Sequence, residues 1–363
     1  MATMPNIERL IRPHLRKAPT YAAVDPSDEL ARQAGVRPED VVRLNANENP
    51  FGAPEEVQRA IARVPLHLYP DPQQRKIRAA LAEYTGQPVG RVMAGAGGDE
   101  IIDLLMRLFL EPGDRVLDCD PTFGMYSFCA RVAAAEVVSV PRGEDWQVDT
   151  AAVEKAVTPR TKILFLASPN NPTGNSLSEA DARRLLDTGM ALAVDETYYE
   201  FSGKTLAHLT PSYENLVVVR SFSKWAGIAG LRIGYMIGSE KIVRLLMDIK
   251  QPYNINVTAE AAAIAALEHR DSLLLRARTL VEQRRRLEGA IRGMNGVSFF
   301  PSDGNFLLCR FTRRTAKEAY EGLARQGIFV RYFSHPRLQD SLRISAGTPE
   351  QTGRLIAALH KVV

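Results

Sequence analysis

Seven short apolar runs rich in β-branched residues, separated by longer helical patterns, constrain the fold of this chain more tightly than any other feature. They fall at 91–94, 115–118, 136–140, 162–167, 191–194, 216–220 and 232–237. Runs that are apolar on both faces must be covered on both faces, and strands separated by helices pair mainly in parallel. Helical periodicity covers 73–84, closed by Gly86, and 99–109, closed by Pro112 and Gly113. Ser178-x-x-Asp181 opens a further helix with a capping-box pattern. The expected architecture is α/β, with a large domain built on a mainly parallel seven-stranded sheet covered by helices.

The pattern changes after about Tyr253. A long helical stretch spans 258–294, broken near Asp271, followed by strands at 297–300, 305–310, 328–331 and 342–345. Helices are expected at 315–326 and 348–360, the second opened by Thr348, Pro349 and the capping partner Gln351. This predicts a smaller α+β C-terminal domain. The expected division is residues 1–45 as an N-terminal arm or part of the small domain, 46–256 as the large ligand-binding domain, and 257–363 as the small domain with the interdomain helix. At 363 residues the chain is long enough for both cores.

Composition narrows the function. The chain is 45% hydrophobic and 24% charged, with a net charge of +4 spread among both signs. The one dense basic cluster, Arg284-Arg285-Arg286, lies in a helical pattern and reads as a solvated face, so no nucleic-acid partner is expected. Cys119, Cys129 and Cys309 are odd in number and far apart, which fits buried free thiols and neither disulfides nor a zinc site; no metal is expected. The N-terminus is polar and broken by Pro, unlike a signal peptide, and no apolar run has membrane length. The expectation is a cytoplasmic protein with no membrane partner.

Chemistry concentrates in Ser221-Phe222-Ser223-Lys224, with Arg232 eight positions later. Two hydroxyls and a guanidinium can grip a phosphate while the lysine attacks an aldehyde, and pyridoxal 5'-phosphate carries both groups. A free lysine is about one part in a thousand neutral at pH 7.4, so Lys224 needs burial beside cations to serve as a Schiff-base lysine. The glycine loop 94–100 follows a strand and opens a helix, a suitable anion site. It lacks the final glycine of the dinucleotide fingerprint, which counts against a nicotinamide enzyme. Asp195 ends an apolar strand, where a carboxylate can keep a pyridine nitrogen protonated and make the ring an electron sink. Tyr198 and Asn171 can both hydrogen-bond the ring oxygen, and strand carboxyl ends are where such sheets place ligands. Phe123 can stack on the ring or simply join the core. Arg343, on an expected strand, can take a substrate carboxylate, with a structural ion pair as the competing reading.

These residues lie within stretches that resemble the fold-type I aminotransferases, and more narrowly the histidinol-phosphate aminotransferase branch. The stretches are Leu44-Asn-Ala-Asn-Glu-Asn-Pro-Phe-Gly52, Tyr69-Pro-Asp-Pro72, Gly97-Gly-Asp-Glu-Ile101, Ser168-Pro-Asn-Asn-Pro-Thr-Gly174, Val194-Asp-Glu196, 221–235, Lys250-Gln-Pro-Tyr-Asn-Ile-Asn256, Asn305-Phe-Leu-Leu308 and 343–348. The resemblance implies an aspartate-aminotransferase-like fold and a homodimer with shared active sites, in which Tyr69 reaches the neighbouring subunit's cofactor phosphate. It implies that Lys224 bonds the cofactor, with Gly97, Gly98, Asp99, Ser221, Ser223 and Arg232 around the phosphate. Arg343 would take the amino-acid carboxylate, and Arg331 and Tyr21 would face the rest of the substrate. The implied reaction moves an amino group from histidinol phosphate to 2-oxoglutarate. An aromatic amino-acid aminotransferase is the alternative, and a non-catalytic cofactor-binding sensor a remote one. The chain departs from the pattern at Phe123, where tyrosine is frequent, at Gly98, where a small hydroxyl residue is common, and at Trp225-Ala226-Gly227 in place of Ala-Phe-Gly.

Overall fold

The computed structural model describes residues 7–16, 21 and 23–363. After a short strand β1 (Val42–Arg43), the seven apolar runs become β2 (Val92–Gly95), β3 (Arg115–Asp120), β4 (Glu136–Pro141), β5 (Thr161–Ala167), β6 (Ala191–Asp195), β7 (Leu216–Ser221) and β8 (Gly234–Ile237). They form one sheet in the order β2-β8-β7-β6-β5-β3-β4. The five strands from β7 to β4 are parallel, and β8 runs antiparallel to both β7 and β2. Alternate residues of each strand enter two different cores. Leu164, Val194 and Val218 face one, while Phe165, Ala193 and Val219 face the other, so both faces are dry as the sequence requires.

The seventh strand begins later than its apolar run. Arg232 has a φ of +54° and lies outside the sheet, and the ladder starts at Gly234. A side chain at Gly234 would lie 2.8 Å from the Gly98 nitrogen, so only glycine lets this strand pass the start of the helix Gly98–Phe109. The expected capping box at Ser178 is half made. Ser178 accepts from the Asp181 N–H, but the Asp181 carboxylate returns to the Ser178 hydroxyl, an aspartate being one methylene shorter than the usual glutamate. At Thr348 the full reciprocal pair with Gln351 forms.

The long helical stretch divides at His269 into Val257–Glu268 and Arg270–Arg292. Arg284 corrects the reading of its cluster as a solvated face. It is buried on the stripe shared with Leu280, Leu287 and Ile291, and donates to the Gly304 carbonyl at 2.6 Å and to Glu288. Arg285 and Arg286 stay exposed.

Beyond the helices, β9 (Val297–Phe299), β10 (Phe306–Phe311), β12 (Arg331–Tyr332) and β13 (Ser341–Ser345) form an antiparallel sheet in the order β12-β13-β10-β9. The single strand expected at 328–331 is two, because β11 (Ile328–Phe329) pairs in parallel with β1 while β12 pairs with β13. Through β1 the N-terminal segment joins this second core, where Val42 and Leu44 pack with Leu307, Ile344 and Leu355. All three cysteines are buried and free. Among the described residues no helix is long and apolar enough to cross a membrane, and no cluster of His, Cys, Asp and Glu could hold a metal ion.

Gly227 packs the loop after β7 against the segment around Gly52. Its φ is +71°, and a side chain there would meet the Gly52 carbonyl oxygen at 2.4 Å, a backbone contact that cannot swing aside. Gly227→Ala is expected to cost about 3 kcal/mol, which for a chain of 363 residues corresponds to a fall in Tm of roughly 4 °C. Gly230→Ala, with open space around it, should leave Tm within about 1 °C. Thermal unfolding followed by circular dichroism checks both.

Candidate active site

The carboxyl ends of the parallel strands bring the candidate residues to one cleft between the seven-stranded sheet with its two cores and the core of the small antiparallel sheet. Asp195 is the last residue of β6 and Ser221 the last of β7, with Ser223 and Lys224 in the turn that follows. Asn171 lies in the loop after β5 and Phe123 in the loop after β3. The small sheet closes the other side with Arg343 on β13 and Arg331 directly opposite it on β12.

Lys224 is the centre of the arrangement. Its Nζ donates to the Ala46 carbonyl at 2.9 Å. Burial, helped by the charges of Arg343 and Arg232 against the opposing Glu48, pushes its amine down to about 8. At that value about 20% of it is neutral at pH 7.4, roughly two hundred times the fraction of a free lysine, so it is a usable nucleophile.

Asp195 accepts from the Tyr126 hydroxyl at 2.8 Å and from the Thr197 N–H at 3.0 Å. Burial raises its pKa while these two bonds oppose the rise, so a cation placed beside it would gain an already oriented partner. Tyr198 is buried, its ring edge-to-face with Phe306 at 5.1 Å, and its oxygen accepts from Asn47 Nδ2 at 2.9 Å. Burial pushes its phenol up to about 12, which keeps it a donor at neutral pH.

The phosphate-grip residues cluster as their spacing implies. Ser221 and Ser223 hydroxyls lie 2.9 Å apart. Arg232 is held at 2.7 Å by Asp99, and its guanidinium covers Gly97, where a side chain would lie 2.8 Å from its nearest nitrogen. Gly97, with φ +83°, caps the helix that begins at Gly98, so the unpaired amides of that helix start beside this guanidinium. Hydroxyls, a guanidinium and helix N-terminal amides are a donor set suited to a phosphate.

Arg343 donates to Asn171 Oδ1 at 2.6 Å and to the Asn45 carbonyl at 2.5 Å, while its Nε is buried without a partner among the described residues. Burial pushes its pKa down to about 10, the expected consequence of a cation held largely out of water with no carboxylate beside it. Arg331 donates to the Ala23 carbonyl at 3.5 Å. Tyr21 meets Phe123 edge-to-face at 6.1 Å, and Phe123 in turn meets Tyr126 at 5.5 Å, so the arm reaches the cleft wall. Tyr69 is not drawn into the cleft of its own chain: it is 80% exposed and stacks on Tyr253 at 4.5 Å.

Reasoning from the sequence gave no role to Asn45, Ala46, Asn47, Tyr126 or Asn305. Segment 45–49 threads the cleft: Asn45 and Ala46 offer carbonyls to Arg343 and Lys224, Asn47 bonds Tyr198, and Asn49 donates to the Trp225 carbonyl at 2.7 Å. The available signal was the amide at every second position, Asn45, Asn47 and Asn49, in a stretch with few charges.

A lysine whose pKa is lowered first by burial and then by neighbouring cations, beside a strand-end carboxylate and a phosphate-type donor cluster, is the arrangement of a lysine-dependent α/β transferase. Residues 39–359 match the aminotransferase class I and II family, and the chain belongs to that family. It is 45% identical over 367 residues to a histidinol-phosphate aminotransferase of Roseiflexus castenholzii, covering 98% of this chain and 99% of that one. A chloroplastic histidinol-phosphate aminotransferase of Arabidopsis thaliana is 42% identical over 98% of this chain and 86% of its own. Among solved structures, the histidinol-phosphate aminotransferase from Sinorhizobium meliloti in complex with pyridoxal-5'-phosphate matches with a TM-score of 0.87 at 26% identity, covering 97% of both chains.

The electrostatic account of Lys224 is testable without substrate. Arg343→Gln removes the nearer opposing cation, so the Lys224 pKa is expected to rise from about 8 toward the ordinary lysine value. Competitive acetylation across pH 6–11, read peptide by peptide by mass spectrometry, measures the midpoint. An unchanged midpoint would assign the depression to burial and Arg232, with no part for Arg343.

Proposed function

We propose that this chain is a pyridoxal-phosphate-dependent aminotransferase whose amino donor is histidinol phosphate and whose acceptor is 2-oxoglutarate. The observation that carries the cofactor is Lys224, whose amine is pushed down to about 8 by burial with help from Arg343 and Arg232, beside the donor set at Ser221, Ser223 and Gly97. The residues fit that group: Ser221, Ser223, Arg232 and the helix amides after Gly97 would hold its phosphate, Asp195 its ring nitrogen, and Tyr198 and Asn171 its ring oxygen. When bound, the cofactor supplies an aldehyde for amine exchange and a protonated ring that takes up the electron pair left at the substrate's Cα.

Each protein group then has a task. Asp195, oriented by Tyr126 and Thr197, holds the ring nitrogen protonated. Lys224, displaced by the incoming amine, takes the Cα proton with its neutral nitrogen, and the Ala46 carbonyl keeps that nitrogen within the cleft. Arg343 receives the carboxylate of glutamate in one half-reaction and the phosphate end of histidinol phosphate in the other. Arg331, one strand away in register, adds the second cation that a phosphate dianion favours over a carboxylate.

The substrate assignment draws on relatives at 45% and 42% identity over nearly the whole chain that are named for it. We further propose a cytoplasmic homodimer in which Tyr69 completes the neighbouring site. In its support, Leu66, Leu68, Tyr69 and Tyr253 are all exposed, an apolar surface a partner subunit would cover.

Three measurements test these proposals. Borohydride reduction of the yellow holoprotein, followed by peptide mapping, should fix the cofactor mass on Lys224 and nowhere else. Side-by-side kcat/KM values should favour histidinol phosphate over phenylalanine and tyrosine, and a phenylalanine preference of tenfold or more would overturn the substrate assignment. Arg331→Gln should raise KM for histidinol phosphate by about tenfold or more and change that for glutamate by less.

A further inference from the structure

Hydrogen-bond accounting around Tyr198 assigns a direction to a chain of groups that begins on the small sheet. Ser345 Oγ accepts from the Asn47 N–H at 3.1 Å and lies 2.7 Å from Asn47 Oδ1. Asn47 Nδ2 lies 2.9 Å from the Tyr198 hydroxyl. Asn47 is 1%, Ser345 2% and Tyr198 5% exposed, so bulk water is not available to repair an unmade bond.

Two arrangements of these hydrogens are possible, because an amide can be turned end for end. With Asn47 Oδ1 toward Ser345, the serine donates to it, Asn47 Nδ2 donates to the Tyr198 oxygen, and the tyrosine hydrogen points into the cleft. With the amide reversed, Tyr198 donates to Asn47 and the serine hydrogen has no acceptor among the described residues. A buried hydroxyl hydrogen left unpaired is costly, so an acceptor in the cleft selects the first arrangement, in which both hydroxyl hydrogens are used.

We propose that Ser345 and Asn47 form a directional relay that turns the Tyr198 hydrogen into the cleft, which makes both of them positioning residues for the reaction. This rests on the reading above that Tyr198 faces the cofactor's ring oxygen. The relay starts two residues from Arg343 on β13, so the strand that receives the substrate anion also sets the donor beside the cofactor. Asn47 itself has a φ of +56°, a conformation that asparagine, aspartate and glycine tolerate and bulkier residues do not. Segment 45–49 is thus shaped to present this amide.

Polarity reversal provides the test. Asn47→Asp keeps the size, the backbone conformation and the acceptor for Ser345, but replaces the donor facing Tyr198 with a second acceptor, so the tyrosine hydrogen turns away from the cleft. A donor on the ring oxygen favours its anionic form and lets the bound cofactor lose its neighbouring proton at lower pH. Without that donor, the pH midpoint of the bound chromophore's absorbance should rise by about one unit, in Asn47→Asp and in Tyr198→Phe alike. Asn47→Gly and Tyr198→Phe should each lower kcat/KM by about tenfold, and the double variant should be no worse than Tyr198→Phe alone. Multiplying losses in the double variant, or an unmoved midpoint in Asn47→Asp, would overturn the relay. Tm values of the cofactor-free variants separate misfolding from loss of the relay, and Ser345→Ala, which preserves the strand, should move the midpoint in the same direction. Borohydride mapping to Lys224 tests the cofactor reading separately, so failure of one is distinguishable from failure of the other.

Discussion

Segment 45–49 is the interaction on which the cleft depends, because it is the place where the two cores are tied through groups that also serve the site. The Asn305 amide, in the loop before β10, donates to the Asn47 carbonyl at 3.1 Å, and the Ser345 N–H donates to the Leu44 carbonyl at 3.0 Å. From the other side Lys224, Tyr198 and the Trp225 carbonyl bond to the same five residues. A peptide that must satisfy strand and loop partners on one side and site residues on the other has few alternative conformations. It holds Arg343 and Lys224 in one frame.

That frame concentrates positive charge. Arg343 and Arg232 both act on Lys224, Arg331 acts on Arg343, and Glu48 and Asp99 oppose them at the lysine. Arg232 is balanced by Asp99 near solvent, whereas Arg343 has amide and carbonyl partners and no carboxylate. Neutral partners orient a guanidinium without cancelling its charge, so its field stays available to an incoming anion. Burial contributes most to the lowered pKa of Lys224, and the same uncancelled charge adds to it, so a carboxylate built in beside Arg343 would weaken its pull on an anion and remove part of the lysine's shift.

The sheet was legible because its strands are dry on both faces, which writes them into composition as well as periodicity. The second core was legible as a class, but the split at Val330 was not, since a run of apolar residues does not say that its two halves pair with different strands. Arg284 misled because charge in a helical pattern usually means solvent; its face is decided by the stripe of Leu280, Leu287 and Ile291, with the Gly304 carbonyl as the partner that makes burial tolerable. At the site, residues that bear reactive groups were legible by type and spacing. The residues that orient them were not, because Ala46 acts through a carbonyl that any amino acid carries, and Tyr126 differs from a core tyrosine only by what its hydroxyl meets.

The two cores are also clamped on the cleft's outer flank, which limits how the site can respond to substrate. His335 Nε2 lies 2.7 Å from Asp120 Oδ2, and Arg337 donates to the carbonyls of Arg142 and Gly143 while its guanidinium covers the Trp146 ring at 4.6 Å. Trp146 in turn packs with Leu308 and Leu338, so this contact has an apolar centre as well as charge. Asp120 stands three residues before Phe123, which places the clamp at the root of the loop facing the proposed cofactor ring. Rigid-body opening that separates β13 from β6 would have to break the peptide frame at 45–49 or this flank. Adjustment is cheaper at side chains held by one or two bonds, namely Lys224 on Ala46 and Arg343 on Asn171 and Asn45. Replacing those contacts by bonds to a substrate exchanges one partner for another, without first taking the two cores apart.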